Sequence, residues 1–91
     1  MNLSTLKYLV EKIAHELRRD NINISTCEIR DKKSRYEIYF RLDENRAELS
    51  KIKIIINKNE LKIRVFTGKT SFDLRLKKLI KRELTRLADS T

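Results

Sequence analysis

Residues 51–66, KIKIIINKNELKIRVF, decide the predicted fold of this chain. Apolar residues alternate strictly with other residues on both sides of a central turn, and the alternating set is Ile52, Ile54, Ile56, Leu61, Ile63 and Val65. A period of two places such residues on one face of a strand. We therefore predict a β-hairpin with Lys58 and Asn59 as a two-residue turn. Burial of the shared face fixes its register, which pairs Ile56 with Leu61, Ile54 with Ile63 and Ile52 with Val65.

The length and composition of the chain indicate a single domain, residues 1–91. A chain of this size buries roughly 60 to 65% of its unfolded surface, which is enough for one thin core between two layers. Its 38% of charged residues and its many aliphatic residues are typical of a globular protein. We expect order along nearly the whole chain.

The net charge of +9 points to a polyanion or an anionic surface as the partner. The alternative is that biased residue usage or a hot habitat explains the excess of basic residues. A single cysteine, Cys27, excludes an internal disulfide and fits a reducing compartment. The longest aliphatic run covers only residues 54–56, so no membrane segment is predicted. We expect a cytoplasmic protein with no membrane partner.

The N-terminal segment predicts an amphipathic helix over residues 2–19. Its apolar residues recur at steps of three and four, at Leu3, Leu6, Leu9, Val10, Ile13 and Leu17. Asn2 is a candidate N-cap, and Asn21 is a candidate C-cap. His15 lies about 200 degrees from Ile13 around the helix, so we expect it to face solvent and not to bind a metal.

Two further strands are predicted over residues 22–30 and 35–42. A short turn at residues 31–33 joins them, and the register pairs Ile22 with Leu42, Ile24 with Phe40 and Thr26 with Ile38. The next segment, DENRAEL at residues 43–49, is the only long loop that the sequence predicts. Beyond this loop we expect Phe40 to pair with Ile52 and Ile38 to pair with Ile54, which makes the sheet a meander.

The last predicted element is a second amphipathic helix that begins after residues 67–69. Thr70 is its predicted cap, and Asp73 completes a capping box. Its predicted buried stripe consists of Phe72, Leu76, Leu79, Ile80, Leu84 and Leu87. Basic residues occupy most of the remaining surface, at Arg75, Lys77, Lys78, Lys81, Arg82 and Arg86.

These elements predict an α+β fold in the order α-β-β-β-β-α. It is a four-stranded antiparallel β-meander with an N-terminal and a C-terminal helix packed on one face. Four strands at about 4.8 Å each span roughly 19 Å, which two helices of about 10 Å diameter can cover. The other face of the sheet is left open.

The open face of the predicted sheet is basic and aromatic. We expect Arg41 opposite Lys51 and Lys53 opposite Arg64, and facing like charges invite an anionic counterpart. Neighbouring aromatic rings offer platforms on which bases can stack. The predicted nucleic-acid-binding residues of this face are Tyr39, Arg41, Lys51, Lys53, Lys62, Arg64 and Phe66. The alternative is a solvated face whose long side chains cover the strands.

The C-terminal helix is a second candidate surface. The backbone N–H groups of residues 68–71, GKTS, open its N-terminus, and helix N-termini bind phosphate readily. The predicted contacts here are Lys69, Lys77, Lys78 and Lys81. One glycine and one lysine do not make a P-loop, however, and an exposed helix commonly carries this many basic residues.

Catalytic signals are weak throughout the chain. Glu60 and Lys62 have Glu-x-Lys spacing with Asp43 upstream, as in restriction-type nuclease sites that hold Mg²⁺. Glu60 flanks a turn at the sheet end opposite Asp43, so a nuclease is a remote alternative. Cys27 is expected on the open face, beside Glu37 and Ile55, with no base partner. We expect no catalytic residue, no metal site and no cofactor.

The sequence therefore predicts a small nucleic-acid-binding module that is not an enzyme and that takes DNA or RNA as its partner. The alternative is a protein-interaction module or homodimer that pairs through the open face. Ile55, Tyr39 and Phe66 separate the two hypotheses, because a subunit would cover them whereas nucleic acid would meet them with its bases. No small-molecule substrate is evident.

We predict that the chain folds without a metal and without a disulfide, because its sequence offers neither a ligand set nor a second cysteine. Its far-ultraviolet circular dichroism should be unchanged by a chelator or by a reductant. Loss of the signal with either reagent alone would contradict this view of the core.

Overall fold

The computed structural model describes residues 2–46, 49–60 and 62–89. It has two helices, α1 (Leu3–Arg19) and α2 (Thr70–Asp89). Between them lie four strands, β1 (Ile24–Asp31), β2 (Arg35–Arg46), β3 (Leu49–Asn57) and β4 (Ile63–Phe66). The strands form one antiparallel sheet in the order β1-β2-β3-β4. Side chains from both helices join one core with a single face of this sheet. The predicted α-β-β-β-β-α fold is confirmed.

An asparagine takes part in the cap at each end of helix α1, Asn2 at the N-terminus and Asn21 at the C-terminus. The side-chain oxygen of Asn2 accepts a hydrogen bond from the backbone N–H of Thr5 at 2.9 Å, which confirms the predicted N-cap. The C-cap is Asp20, one residue before the predicted one, and Asn21 follows it with a φ of 61°. The N–H groups of Asn21 and Ile22 donate to carbonyls of the last turn, as in a Schellman motif. Ile22 is thereby buried in the core at the end of the helix and does not start a strand.

The centre of the sheet has the predicted register. Ile38 lies opposite Ile54 and Phe40 lies opposite Ile52. These four side chains are at most 1% exposed. Strand β3 therefore buries alternate residues between its two neighbouring strands and the helices, as its period of two predicts.

The predicted register between β1 and β2 is wrong. Ile24 lies opposite Leu42, a bulge follows between Ile24 and Thr26, and Ile29 lies opposite Ile38. Ile24 and Ile29 are five residues apart in the sequence, so a regular strand would place them on opposite faces. The extra residue of the bulge lets both of them pack against the core.

The predicted register between β3 and β4 is also wrong, by two residues. The observed pairs are Ile56 with Ile63 and Ile54 with Val65. A shift of two keeps every side chain on its original face, so the buried set is unchanged. Leu61, the predicted partner of Ile56, lies outside the described residues.

The turn between β3 and β4 explains this shift. A two-residue hairpin turn at Lys58 and Asn59 would need positive φ angles, and in the described part of the chain Asn21 is the only residue other than glycine that has one. The side chain of Asn57 instead accepts hydrogen bonds from the N–H groups of Asn59 and Glu60. This local bonding stabilises a wider loop than the predicted one.

Residues 43–46 and residue 49 lie in strands and not in the predicted long loop, whose residues 47 and 48 are outside the described part of the chain. Strand β2 continues to Arg46 and β3 begins at Leu49, and these two residues are paired after an irregularity beyond Arg41. Backbone hydrogen bonds pair strands whether or not their side chains are apolar. A polar composition therefore did not prevent this segment from extending the hairpin.

The entry into α2 differs from a capping box at Thr70, which lies inside the helix. The carboxylate of Asp73 accepts hydrogen bonds from the N–H and the hydroxyl of Thr67 instead. Gly68, with a φ of 91°, lets the chain turn between Thr67 and the helix. This bonding fixes the first turn of α2 to the residue that follows β4.

Both predicted helix stripes are mainly confirmed. The buried residues are Leu6, Leu9, Ile13 and Leu17 on α1 and Phe72, Leu76, Leu79, Ile80 and Leu84 on α2. Leu87 is only partly buried, and Leu3 is 52% exposed. The guanidinium of Arg75 on α2 joins the two helices through Glu16 at 2.8 Å and Asp20 at 2.6 Å.

We predict that Ile54→Ala lowers the free energy of unfolding by about 2 to 5 kcal/mol, because Ile54 is fully buried. Ile55→Ala should lower it much less, because Ile55 lies on the open face and is only partly buried. Urea unfolding followed by circular dichroism measures both. Equal losses would mean that both faces of the sheet are covered in solution.

Candidate nucleic-acid interface

The open face of the sheet carries the predicted site. It comprises Thr26, Glu28, Arg30, Arg35, Glu37, Tyr39, Arg41, Lys51, Lys53, Ile55, Asn57, Arg64 and Phe66, with Lys62 at its end. Its arginines and lysines far outnumber its carboxylates, which are Glu28 and Glu37. The alternation of the strands thus gathers one sign of charge on the side that the helices leave uncovered.

The opposed charges of this face are partly as predicted. Arg41 lies opposite Lys51, but the predicted pair of Lys53 with Arg64 is wrong. The shift of β4 places Phe66 opposite Lys53 instead. Lys53 therefore lies between Tyr39 of β2 and Phe66 of β4, in one row across three strands. The two aromatic residues are two strand spacings apart, about 10 Å.

The ring of Tyr39 lies close to two cations. The guanidinium of Arg30 is 4.8 Å from the ring centroid, and the ammonium of Lys53 is 5.6 Å from it. The hydroxyl of Tyr39 donates to Glu37 at 3.0 Å. A base that stacks on this half-buried ring therefore competes with these cations for the surface of the ring. Phe66, which is 50% exposed, is the more accessible platform.

Glu37 holds this part of the face together. Its side chain, in a residue only 4% exposed, accepts hydrogen bonds from Arg35 at 2.7 Å and from Tyr39. The hydrogen bond from Arg35, and then that from Tyr39, hold the pKa of Glu37 below its ordinary value although burial opposes this. The sequence did not single out Glu37, because its partners depend on side-chain directions that the alternation does not give.

The cations of the open face fall into two groups. Arg30 is paired with Glu28 at 3.0 Å, Arg35 is paired with Glu37, and Lys62 is paired with Glu60 at 3.8 Å. Within the part of the chain that the structure describes, no carboxylate pairs with the second group, Arg41, Lys51, Lys53 and Arg64. We call this second group the unpaired cations. Phosphate can approach them without first breaking an ion pair.

A groove runs along β4 beside α2, and the sequence pattern did not predict it. Its volume is about 470 Å³, and its lining includes Arg64, Phe66, Leu74 and Lys77. Leu74 is 56% exposed. The one feature of the sequence that indicates this groove is Leu74, a large apolar residue of α2 that lies outside the predicted buried stripe. We call this feature the β4 groove.

The basic residues of α2 separate into different environments. Lys77 reaches the β4 groove beside residues of the open face, whereas Lys78 and Lys81 are exposed elsewhere on the helix. Arg75 binds α1, and Arg86 contacts both Glu83 and Tyr8. The structure therefore brings Lys77 together with the predicted sheet residues.

The N-terminus of α2 already has a carboxylate beside it. Asp73 lies in the first turn, and the N–H of Lys69 donates to the Thr67 hydroxyl at 3.2 Å. A negative charge in this position interacts favourably with the helix dipole, as a phosphate would. A phosphate at residues 68–71 would therefore meet the charge of Asp73, and Lys69 stays a predicted contact.

Cys27 is not on the open face as predicted. It lies opposite Phe40 on the helix side, because the bulge after Ile24 reverses the faces of β1. It lines a cavity of about 530 Å³ whose lining also includes His15, which is exposed as predicted. Burial raises the pKa of the Cys27 thiol, which opposes formation of a nucleophilic thiolate.

The residues of the remote nuclease alternative are not brought together. Glu60 follows β3 at the end of the sheet where Arg35 pairs with Asn57, whereas Asp43 lies beyond the pair of Arg41 with Lys51. Among residues 2–46, 49–60 and 62–89, no three histidine, cysteine or acidic side chains are grouped closely enough to hold a metal ion.

Over the described ranges, neither helix has an apolar stretch long enough to cross a membrane. Comparison of the chain with protein-family models, curated protein sequences and solved structures finds no match in any of the three. What the chain does must therefore be inferred from its own fold and chemistry.

We predict that Arg35→Gln raises the pKa of Glu37 towards its ordinary value, because the hydrogen bond from Arg35 is the main cause of the lowered pKa. Tyr39→Phe removes the second hydrogen bond and should raise the pKa by less. Titration of the Glu37 carboxyl carbon by NMR measures both effects. If neither substitution moves the pKa, these hydrogen bonds do not form in solution.

A carboxyl group whose pKa is lower in the folded chain stabilises the fold at neutral pH, and this contribution is lost as the pH falls through the folded pKa. We therefore predict that the stability difference between the natural chain and Glu37→Gln is largest near pH 7 and narrows below about pH 4. Urea unfolding at a series of pH values measures the difference. A difference that does not change with pH would contradict the lowered pKa.

Proposed function

We propose that this chain is a small nucleic-acid-binding module that binds DNA or RNA through the open face of its sheet and the basic surface of α2. The observation that carries the proposal is the row of Tyr39, Lys53 and Phe66 among the unpaired cations. Aromatic rings stack on bases and cations contact phosphates, and binding a single strand without sequence preference uses both contacts.

The main phosphate contacts in this proposal are Arg41 and Lys51. They face each other across β2 and β3, and facing like charges repel. An anion between them replaces that repulsion with two attractions. Two effects therefore favour binding at this pair: the new contacts with the anion, and the loss of the repulsion between Arg41 and Lys51 that exists in the unbound chain.

The proposed base contacts are unequal. Phe66 is half exposed and lies on an edge strand, so a base can reach its ring directly. Tyr39 is held by Glu37 and covered by Arg30 and Lys53. We expect Phe66 to contribute the larger share of the stacking energy, and Tyr39 to contribute only when one of its cations moves to a phosphate.

Assembly of two copies through the open face is the competing function. Its apolar residues, Ile55, Tyr39 and Phe66, are separated by charged residues. Charged residues are depleted at the cores of protein interfaces, and a twofold contact would place the same cations against each other. A polyanion has neither difficulty, so the charge of the face favours nucleic acid over a second copy.

We place the module in the cytoplasm, where a reducing environment suits its single cysteine and nucleic acid is accessible. The proposed role requires no cofactor. It requires no catalytic residue, because stacking and ion pairing complete the contact.

We predict that affinity for an oligothymidine falls with salt, with a slope of log K against log salt of roughly −3 to −4 if about four to six phosphates are neutralised. The double substitution Arg41→Gln with Lys51→Gln should flatten the slope by about 1 to 1.5. It should also raise stability slightly, because an opposed like-charge pair is removed. Fluorescence anisotropy at several salt concentrations measures the slope, and urea unfolding measures the stability.

The matched control is Lys7→Gln with Lys12→Gln, which removes the same charge from exposed positions of α1. It should leave the slope nearly unchanged. Absence of salt-dependent binding to any nucleic acid would overturn the proposed function. A slope that depends on Lys77, Lys78 and Lys81 but not on the sheet residues would move the contact surface to α2.

We also predict that Phe66→Ala weakens binding by about 1 to 3 kcal/mol without changing the salt slope, because a stacked ring releases no counterions. Tyr39→Ala should act in the same direction with a smaller effect. The same anisotropy titrations give both quantities. A change of slope in Phe66→Ala would show that the ring positions a cation and does not stack on a base.

A further inference from the structure

Arg64 lies between two depressions of the surface. One has a volume of about 350 Å³ and lies on the open face, where Arg35, Ile55 and Lys62 also line it. The other is the β4 groove, where Phe66, Leu74 and Lys77 also line it. The open face and α2 are separate candidate surfaces in the sequence, but in the structure they meet at the β4 edge of the sheet.

We propose that the nucleic acid bound is an unpaired strand that follows the open face, crosses β4 at Arg64 and enters the β4 groove. Phe66 and Leu74 contact a base there, and Lys77 contacts a phosphate. This inference rests on the proposed function and deepens it, because it names single-stranded nucleic acid as the ligand class.

The apolar lining of the groove favours an unpaired strand over a duplex. Phe66 and Leu74 are two of the three large apolar residues that are highly exposed among those the structure describes, and both line this groove. A duplex presents phosphates and sugars at its surface and keeps its base faces stacked. An unpaired strand exposes the faces of its bases, which can cover apolar side chains.

The path also favours an unpaired strand. The proposed ligand runs from the sheet face around its β4 edge to α2, so it must bend within the width of a single strand and a helix. Duplex DNA is stiff over about 150 base pairs and resists such a bend, whereas a single strand bends freely. Only a flexible strand can therefore contact both depressions together.

The charge of the groove is complementary to this ligand. Arg64 and Lys77 are its cations, and Arg64 is one of the unpaired cations. Asp73 is the carboxylate in the lining, and its oxygen accepts hydrogen bonds from the N–H and the hydroxyl of Thr67. These hydrogen bonds offset part of its repulsion of a phosphate, so the cations determine the sign of the groove.

The test compares an oligothymidine of about 15 nucleotides with a duplex of the same length, both titrated with the full chain. The natural chain should bind the oligothymidine about tenfold more tightly than the duplex, because stacking of one base on the protein increases the affinity by about this factor. Leu74→Ala should weaken oligothymidine binding by about three- to tenfold and leave duplex binding unchanged, and Lys77→Gln should weaken oligothymidine binding by about three- to tenfold. Both residues lie outside the buried core, so both variants should fold.

Two matched variants control for loss of an exposed apolar residue and of a helix cation. Leu3→Ala removes an exposed leucine and Lys7→Gln removes an exposed cation, both from α1. Both should bind the oligothymidine as the natural chain does. The methyl resonances of Leu74, followed by NMR, should shift on addition of the oligothymidine, whereas those of Leu3 should not.

Failure of this inference is distinguishable from failure of the proposed function. If Leu74→Ala and Lys77→Gln bind as the natural chain does while Arg41→Gln with Lys51→Gln loses affinity, the groove is not used and the module still binds nucleic acid. Tighter binding of the duplex would overturn the inference that the ligand is an unpaired strand, and the proposed function would stand. If the natural chain binds neither nucleic acid but binds polyglutamate, and Leu74→Ala weakens that binding, the groove takes an acidic peptide and both proposals are overturned.

Discussion

Burial of alternate residues in β3 is the constraint on which the rest of the structure depends. Ile52, Ile54 and Ile56 are fully buried beneath the helices, with β2 on one side and β4 on the other. The backbone pleat then sends the residues between them to the opposite face, whatever their chemistry. The described residues form two long helices, both of which lie on the buried side, so the opposite face has to be stable in water. Lysine and arginine meet that requirement, and the same residues give the face its positive charge.

The sequence predicted which face each strand residue occupies more reliably than which partner it meets. Alternation cannot distinguish a pairing of Ile54 with Ile63 from one with Val65, because both keep the same residues buried. The side-chain hydrogen bonds of Asn57 decide between them, and they depend on loop geometry. In β1, the odd spacing of Ile24 and Ile29 was the only trace of the bulge that also moved Cys27 to the helix side.

The candidate site was predictable to the same extent. Tyr39, Arg41, Lys51, Lys53, Arg64 and Phe66 share one face because alternation alone places them there. The division into paired and unpaired cations was not predictable, since it depends on neighbours across strands and on side-chain directions. Glu37 and the β4 groove were missed for the same reason. Lys77 became part of a shared surface only through the position of α2 against β4.

The order of the strands in the sheet is also their order in the chain, and this bears on how the molecule folds. Each strand pairs with its neighbour through a short connection, so closing each hairpin costs little chain entropy. The contact between Arg75 and Glu16 instead joins residues 59 positions apart. We expect the sheet to form first and the two terminal helices to dock on it late. Interactions between the helices would then slow unfolding without accelerating folding. During synthesis, the apolar stripe of α1 has no helix beside it until α2 has been made, so nascent chains are most prone to aggregate in that interval.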